Sequence, residues 1–419
     1  MPETEVLRVN GDRLLAHLHA LSTFGSTADG GVARVAYSDA DREARALVMD
    51  LMRAAALDPC IDAAGNIIGC RPGSESTLPP LLIGSHIDSV PNGGNYDGPL
   101  GSLAAIEVAE TLAERRVVTR HPLEVVIFQN EEGGLVGSRA MRGDLTAADL
   151  DRVSASGKTI REGIAFLGGD PVALASVRRA PGTIAGYLEL HIEQGSVLER
   201  AHVDIGVVEG LVGIQHWEVT VTGVASHAGT TPMADRHDAL LATAKFIEAV
   251  HDVVTSTPGR HVGTIGRIQA LPGAANVIPG KVVLTLELRD TDARTIRVLY
   301  DRIAAAARTI AESTGTTFDF RESNVNPPAP MDARVRALIA QAAERLGLTW
   351  LSMPSGAGHD AQNMAALGPS GMIFVPSVGG ISHAPTEYTT PADVINGANV
   401  LLQATLAVDG AVLDATARR

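Results

Sequence analysis

Imidazoles and carboxylates recur in this chain where apolar runs give way to glycine. The run at 81–88, LLIGSHID, ends in His86 and Asp88, which at a strand's period of two point to one face. Polar groups there would be costly inside a sheet unless they serve a site at its edge. Asp97 follows on the loop PNGGNYDG, whose permissive backbone lets a short carboxylate approach a cation from a second direction, although an Asx turn would account for it equally well. The run LEVVIFQNEEGG sets Glu131 beside Glu132 at its end. Adjacent acids repel, and either a cation or a solvated turn would relieve them. In YLELHIEQG, Glu189, His191 and Glu193 share one strand face, and MIFVPS leads through a glycine loop to His383 in SHAPTEYT. Each of these alone reads as an ordinary strand end or loop. Together, three His, one Asp and one Glu at strand ends of one α/β region suit zinc, and also manganese, cobalt or nickel, better than magnesium or calcium. Five donors exceed a closed tetrahedral site by one, which points to two metals sharing a carboxylate.

The elements that must bring these groups together follow from hydrophobic periodicity. A buried strand at 81–88, a helix at 99–116 and a strand at 123–130 give α/β order, in which ligand sites form at the carboxyl ends of strands. From residue 215 the order changes to strand (216–226), helix (235–255), strands (261–270 and 281–290), helix (293–315) and strand (317–322). This βαββαβ succession is the ferredoxin-like signature. It is read as an insert, 213–329, in a domain built from 1–212 and 330–419. The α/β pattern resumes with a helix at 332–346, a strand at 371–377 and a final helix at 392–413.

Several function classes are disfavoured. A net charge of -14 and 3% aromatic content leave neither the basic surplus nor the stacking platform that nucleic acid requires. Two cysteines, Cys60 and Cys70, cannot build a disulfide framework, and a reducing compartment fits. No uninterrupted apolar run is long enough to span a bilayer, and the first residues lack a secretory pattern, so a cytoplasmic location is expected.

The motifs GSHIDSVPNGGNYDGPLGSLAAIE, NEEGGLVGSRA, ELHIEQG, SHAGTTPM and SHAPTEYT, in this order, resemble the hydantoinase and carbamoylase type of amidase within the M20 group of metallopeptidase-like hydrolases. The resemblance implies a mixed-sheet metallopeptidase-like catalytic domain with an inserted lid and dimerisation domain. It implies hydrolysis of the linear C–N bond of an N-carbamoyl-L-amino acid to amino acid, carbon dioxide and ammonia. Allantoate amidohydrolase and β-ureidopropionase are the alternatives, and a dipeptidase or aminoacylase is a further one. By resemblance, His86, Asp97, Glu132, His191 and His383 hold two divalent ions, with Asp97 bridging, Glu131 as general base and Asp88 orienting His86. Related peptidases usually carry an acid where this chain has His191, which favours the amidase branch. Substrate binding is implied for Gln194, Gln215, His227, Asn276, Arg289, Gly358 and His359, with His227 and Asn276 reaching a neighbouring subunit's site in a homodimer. Read from chemistry alone, Gln215, His227, Asn276 and Arg289 form a second cluster in the insert. Arg289 there could grip a carboxylate or pair with Glu287 or Asp290, and His227 could donate to an oxyanion.

Overall fold

Unbroken apolar runs become strands covered on both faces. In the computed structural model, which describes residues 6–411 and 413, the first half of the chain forms Asp58–Ile61 (β1), Ile67–Arg71 (β2), Leu81–His86 (β3), Leu123–Phe128 (β4), Gly186–Ile192 (β5) and Ile205–Leu211 (β6). Then come Gly213–Thr222 (β7), Ser226–His227 (β8), Val262–Leu271 (β9), Val277–Ile278 (β10), Lys281–Asp290 (β11) and Thr317–Asn326 (β12), followed by Ala329–Pro330 (β13), Trp350–Ser355 (β14) and Ser370–Val375 (β15). A nine-stranded mixed sheet runs β1-β2-β4-β3-β5-β15-β6-β13, with β14 also on β6. Its centre, β4-β3-β5-β15, is parallel, with His86 opposite Phe128 and His191 opposite Phe374. Strands β3, β5 and β15 are buried along their whole length, as parallel strands between helix layers should be. The helix Pro99–Glu114 packs on β3, β4 and β5, and Pro391–Gly410 packs on β5 and β15. Both match expected helices, the last one ending before 413; residue 412 lies outside the described residues.

The chain divides into two units, one reaching to Glu209 and resuming at Met331, the other Gly210–Pro330. In the second, β12-β7-β11-β9 form an antiparallel sheet, and the helices Ala239–Ser256 and Ala293–Thr314 pack against it. Trp217, Val219, Val221, Leu284, Leu286 and Leu288 make the core with those helices, while Thr285, Glu287 and Arg289 alternate onto the other face. The strand expected at 216–226 breaks at Gly223, whose N–H donates to the Gly280 carbonyl (2.8 Å). It resumes as β8, paired with β10.

The helices Gly11–Ser22 and Asp39–Ala54 went unassigned from sequence, as did β1, β2, β6 and β14. Asn10 and Ser38 cap those two helices through their side chains, a signal present in the sequence. The first helix bears on the site through Arg34, which is completely buried. Its guanidinium donates to the carbonyls of Ile87 (2.6 Å), Leu21 and Phe24 (3.0 Å each) and to Asn95 Oδ1 (3.2 Å). One side chain thereby ties the end of β3, the end of the helix Gly11–Ser22 and the Asp97 loop. Arg34→Met should leave those acceptors unsatisfied at roughly 1–3 kcal/mol each. The denaturant midpoint should fall clearly, and an unshifted midpoint would show that the pin is dispensable.

Candidate metal centre

The parallel strands end together, and the residues singled out from sequence gather where they do. His86 is the last residue of β3, His191 lies on β5 next to its end, and Glu131 and Glu132 follow β4. Asp97 and His383 stand on the loops after β3 and β15. His86, Asp97 and His191 form one group with mutually close donor atoms, and Asp97, Glu132 and His383 form another, so Asp97 is shared. Asp97 Oδ1 lies 3.2 Å from His191 Nε2 and 3.6 Å from His86 Nε2, and Asp97 Oδ2 lies 3.2 Å from His383 Nε2. Glu132 Oε1 is 3.5 Å from His383 Nε2.

Tautomers decide what these contacts mean. His86 Nδ1 donates to the Asp88 carbonyl (3.0 Å) and His191 Nδ1 to that of Ile192 (2.9 Å). In the neutral rings the Nε2 atoms are therefore bare, and both are buried with no hydrogen-bond partner. A bare nitrogen facing a carboxylate oxygen is repulsive unless a cation or proton lies between them. The residues thus fit a metal on the strength of their own geometry.

The carboxylates show the same need for positive charge. Burial pushes the Glu131 carboxyl well above the usual range; His86 opposes this, and the charges of Asp360, Glu132 and Asp88 add to it. Glu132 is pushed up to about 7 by burial and then by Asp97. His383 rises to about 9, chiefly through its hydrogen bond with Asp97. For His86, burial acts downward but is outweighed by Glu131, Asp97 and Asp88, so the ring is raised. A dication among these groups would favour the ionised acids. Glu131 stands close by, its Oε2 3.8 Å from His86 Nε2. Asp88 touches His86 mainly through its main-chain carbonyl. Its carboxylate instead accepts the N–H groups of Glu131 (3.1 Å) and Glu132 (3.2 Å), fixing the turn that presents both acids.

Residues that drew no attention in the sequence complete the site. Glu387 accepts the N–H groups of Tyr96 and Asp97, and the single hydroxyl proton of Ser382 is shared between Glu387 Oε2 (2.9 Å) and Asp97 Oδ2 (2.8 Å). An acid four residues after His383 was the available signal. Asn130, Gln194 and His383 all have positive φ, a costly conformation for residues other than glycine that tends to gather at functional sites. Gln194 donates from Nε2 to Asp97 Oδ2 (2.6 Å) and lies 3.4 Å from His383 Nε2, so it sits among the candidate ligands. His359 is buried edge-on against the His191 ring at 4.4 Å between centroids, with Ser355 Oγ 3.1 Å from its Nε2. Gly358, beside it, is half-buried near Gln362.

The second cluster expected in the insert is not one cluster. His227 and Asn276 do meet, through the pairing of β8 with β10 and an Ala228 N–H to Asn276 carbonyl bond of 3.0 Å. Gln215 and Arg289 lie at the other end of the β7–β11 ladder, which runs from Thr222 opposite Lys281 to Gly213 opposite Asp290, but on opposite faces: Gln215 stands opposite Leu288 and bonds Glu322, while Arg289 stands opposite Ile214. At about 3.3 Å per residue, the two pairs are on the order of 25 Å apart. The reason is register: both pairs flank ten-residue strands at opposite tips. Arg289 Nε donates to Glu287 Oε1 (2.7 Å), and Glu287 Oε2 lies 2.6 Å from His216 Nε2. His227 Nδ1 accepts from the N–H groups of Gly229 (3.1 Å) and Thr230 (3.2 Å), which puts the neutral ring's proton on Nε2.

Comparison with known proteins places this constellation. Residues 82–407 match the model of peptidase family M20/M25/M40. An N-carbamoyl-L-amino acid amidohydrolase from Geobacillus stearothermophilus is 41% identical, covering 94% of this chain and 97% of that protein. The chain belongs to the M20/M25/M40 family. A ureidoglycolate hydrolase from Arabidopsis thaliana is 37% identical over 94% of this chain and 86% of its own length. The crystal structure of a hydantoinase/carbamoylase family amidase from Burkholderia multivorans superimposes with a TM-score of 0.88 at 35% identity, covering 96% of this chain and 98% of that one. The resemblance read from the motifs is borne out, and the chain is a hydrolase of the amidase branch.

Enzymes of the M20 family are metal-dependent, and in this chain two groups of residues could hold metal. The His86 ring owes its place to Gly98, which has φ +84 and where a methyl group would collide with the imidazole. Gly98→Ala should therefore lower the metal retained after dialysis, and a displacement near 1 Å should reduce turnover about 100-fold. Retention equal to wild type, measured by mass spectrometry, would show that the ring has room to spare.

Proposed function

We propose that the chain hydrolyses the carbamoyl C–N bond of N-carbamoyl-L-amino acids, releasing the amino acid, carbon dioxide and ammonia. The observation that carries this reading is the pair of bare, buried Nε2 atoms of His86 and His191 facing the shared Asp97, with Glu131 beside them. On this reading His86, Asp97 and His191 hold one divalent ion, and Asp97, Glu132 and His383 a second. Zinc suits the donors best, with manganese, cobalt or nickel next. When bound, the ions supply Lewis acidity to the carbonyl and raise the acidity of water.

The chain's own residues do the rest. Glu131 takes a proton from the attacking water and delivers it to the leaving nitrogen. His227, with its proton on Nε2, suits the developing oxyanion, and Asn276 stands beside it. Arg289, oriented by Glu287, suits the substrate carboxylate, with Gln215, Gln194, Gly358 and His359 as further contacts. The unit Gly210–Pro330 is read as a ferredoxin-like lid and dimerisation domain. Support comes from its βαββαβ order and from the separation of its two functional pairs, which suits service to two sites in a homodimer. No helix among the described residues is long and apolar enough to cross a membrane, and both cysteines are free thiols, in keeping with a cytoplasmic location.

Allantoate, ureidoglycolate and 3-ureidopropionate present the same carbamoyl group and form the second reading, which the relatedness to a ureidoglycolate hydrolase favours. A panel of these acids, several N-carbamoyl-L-amino acids and a dipeptide should give the highest kcat/KM on a carbamoyl amino acid. Faster ammonia release from a ureido acid would move the assignment to that acid, and cleavage of the dipeptide alone would move it to a peptidase. Glu131→Gln should retain metal while kcat falls by about 10² to 10⁴. Near-normal turnover in that variant would remove Glu131 from its role.

A further inference from the structure

Asp97 and His383 stand on loops, whereas His86 and His191 stand on strands and are anchored through Nδ1. The loop-borne pair needs a restraint of its own. Glu387 meets that need: it is 5% exposed, and its carboxylate is shared between the two loops. Oε1 accepts the N–H groups of Tyr96 (2.9 Å) and Asp97 (3.1 Å). Oε2 accepts from Ser382 Oγ (2.9 Å) and from the His383 N–H (3.4 Å). Ser382 Oγ also reaches Asp97 Oδ2, so the hydroxyl links the clamp to the shared carboxylate itself. In the same loop as Asp97, Gly94 leaves the space that the Glu387 side chain fills, since a methyl group there would collide with it.

We propose that Glu387, assisted by Ser382, is a positioning residue that locks the Asp97 loop to the His383 loop so that Asp97, Glu132 and His383 can meet one cation. This rests on the two-metal reading above. A carboxyl group offers lone pairs on both oxygens, and the Tyr96, Asp97 and His383 N–H groups and the Ser382 hydroxyl all point at them. The group His86, Asp97 and His191 shares Asp97 but also has two strand-borne imidazoles anchored independently of Glu387, so the effect falls mainly on the ion that needs His383 as well.

Glu387→Gln keeps the shape and one acceptor, but its amide nitrogen cannot accept from the His383 N–H. Metal-free protein is titrated with Zn²⁺ against a zinc-binding dye, and zinc is counted after dialysis. Wild type should hold two ions per chain. The variant should hold one nearly as tightly as wild type and the second about 10- to 100-fold more weakly. The thermal midpoint of the metal-free form should fall by no more than a few degrees. Ser382→Ala should shift the same ion in the same direction by less. Two ions held with unchanged affinity in both variants would overturn the inference and leave the two-metal reading standing. Loss of both ions with a metal-free midpoint lowered by more than those few degrees would also overturn it, as a general folding role. Wild type holding no zinc would sink the two-metal reading and the inference with it.

Discussion

Two imidazoles whose Nδ1 protons are committed to main-chain carbonyls face one carboxylate with bare nitrogens. The surroundings repeat the demand for positive charge, because Glu131, Glu132 and Asp88 crowd the same buried space. Neither hydrogen bonding nor solvent meets that demand at the two Nε2 atoms. The rest of the first unit can be understood as the scaffold that holds this arrangement. Four parallel strands end at one level, a glycine clears the space for one ring, and buried Arg34 fixes the approach of the loop that carries Asp97.

Much of this was legible in the sequence because parallel strands buried on both faces announce themselves as unbroken apolar runs. Such runs place His86 and Glu131–Glu132 at strand ends, whereas the alternation in YLELHIEQG predicts a half-exposed strand around His191, and β5 is instead buried along its whole length between helix layers. The helical patterns at 99–116 and 332–346 were similarly plain, since each pairs a clear start with apolar periodicity. Bounds were less certain where side-chain pattern and backbone pairing disagree. Apolar alternation runs past Thr222, yet Gly223 leaves the sheet because its N–H is taken by Gly280.

What stayed hidden depends on contacts far apart in the chain. Arg34 reads as one surface arginine among many until its carbonyl partners are seen, and Glu387 reads as one acid in a loop. Their partners lie 53 and 290 residues away for Ile87 and Asp97. The same holds for the insert. Listing Gln215, His227, Asn276 and Arg289 by chemistry suggested one cluster, and only the antiparallel register reveals that they sit at opposite tips.

That register also governs which chemistry the insert can present. Leu284, Leu286 and Leu288 are fastened into the helix-covered core, and Glu287 and Arg289 face outward only because they alternate with them. A slip of one residue in β11 would turn the guanidinium towards the helices and a leucine towards water. The apolar core thus acts as the key that indexes the charged face: the placing of Glu287 and Arg289 on one side of this sheet is inherited from close packing on the other.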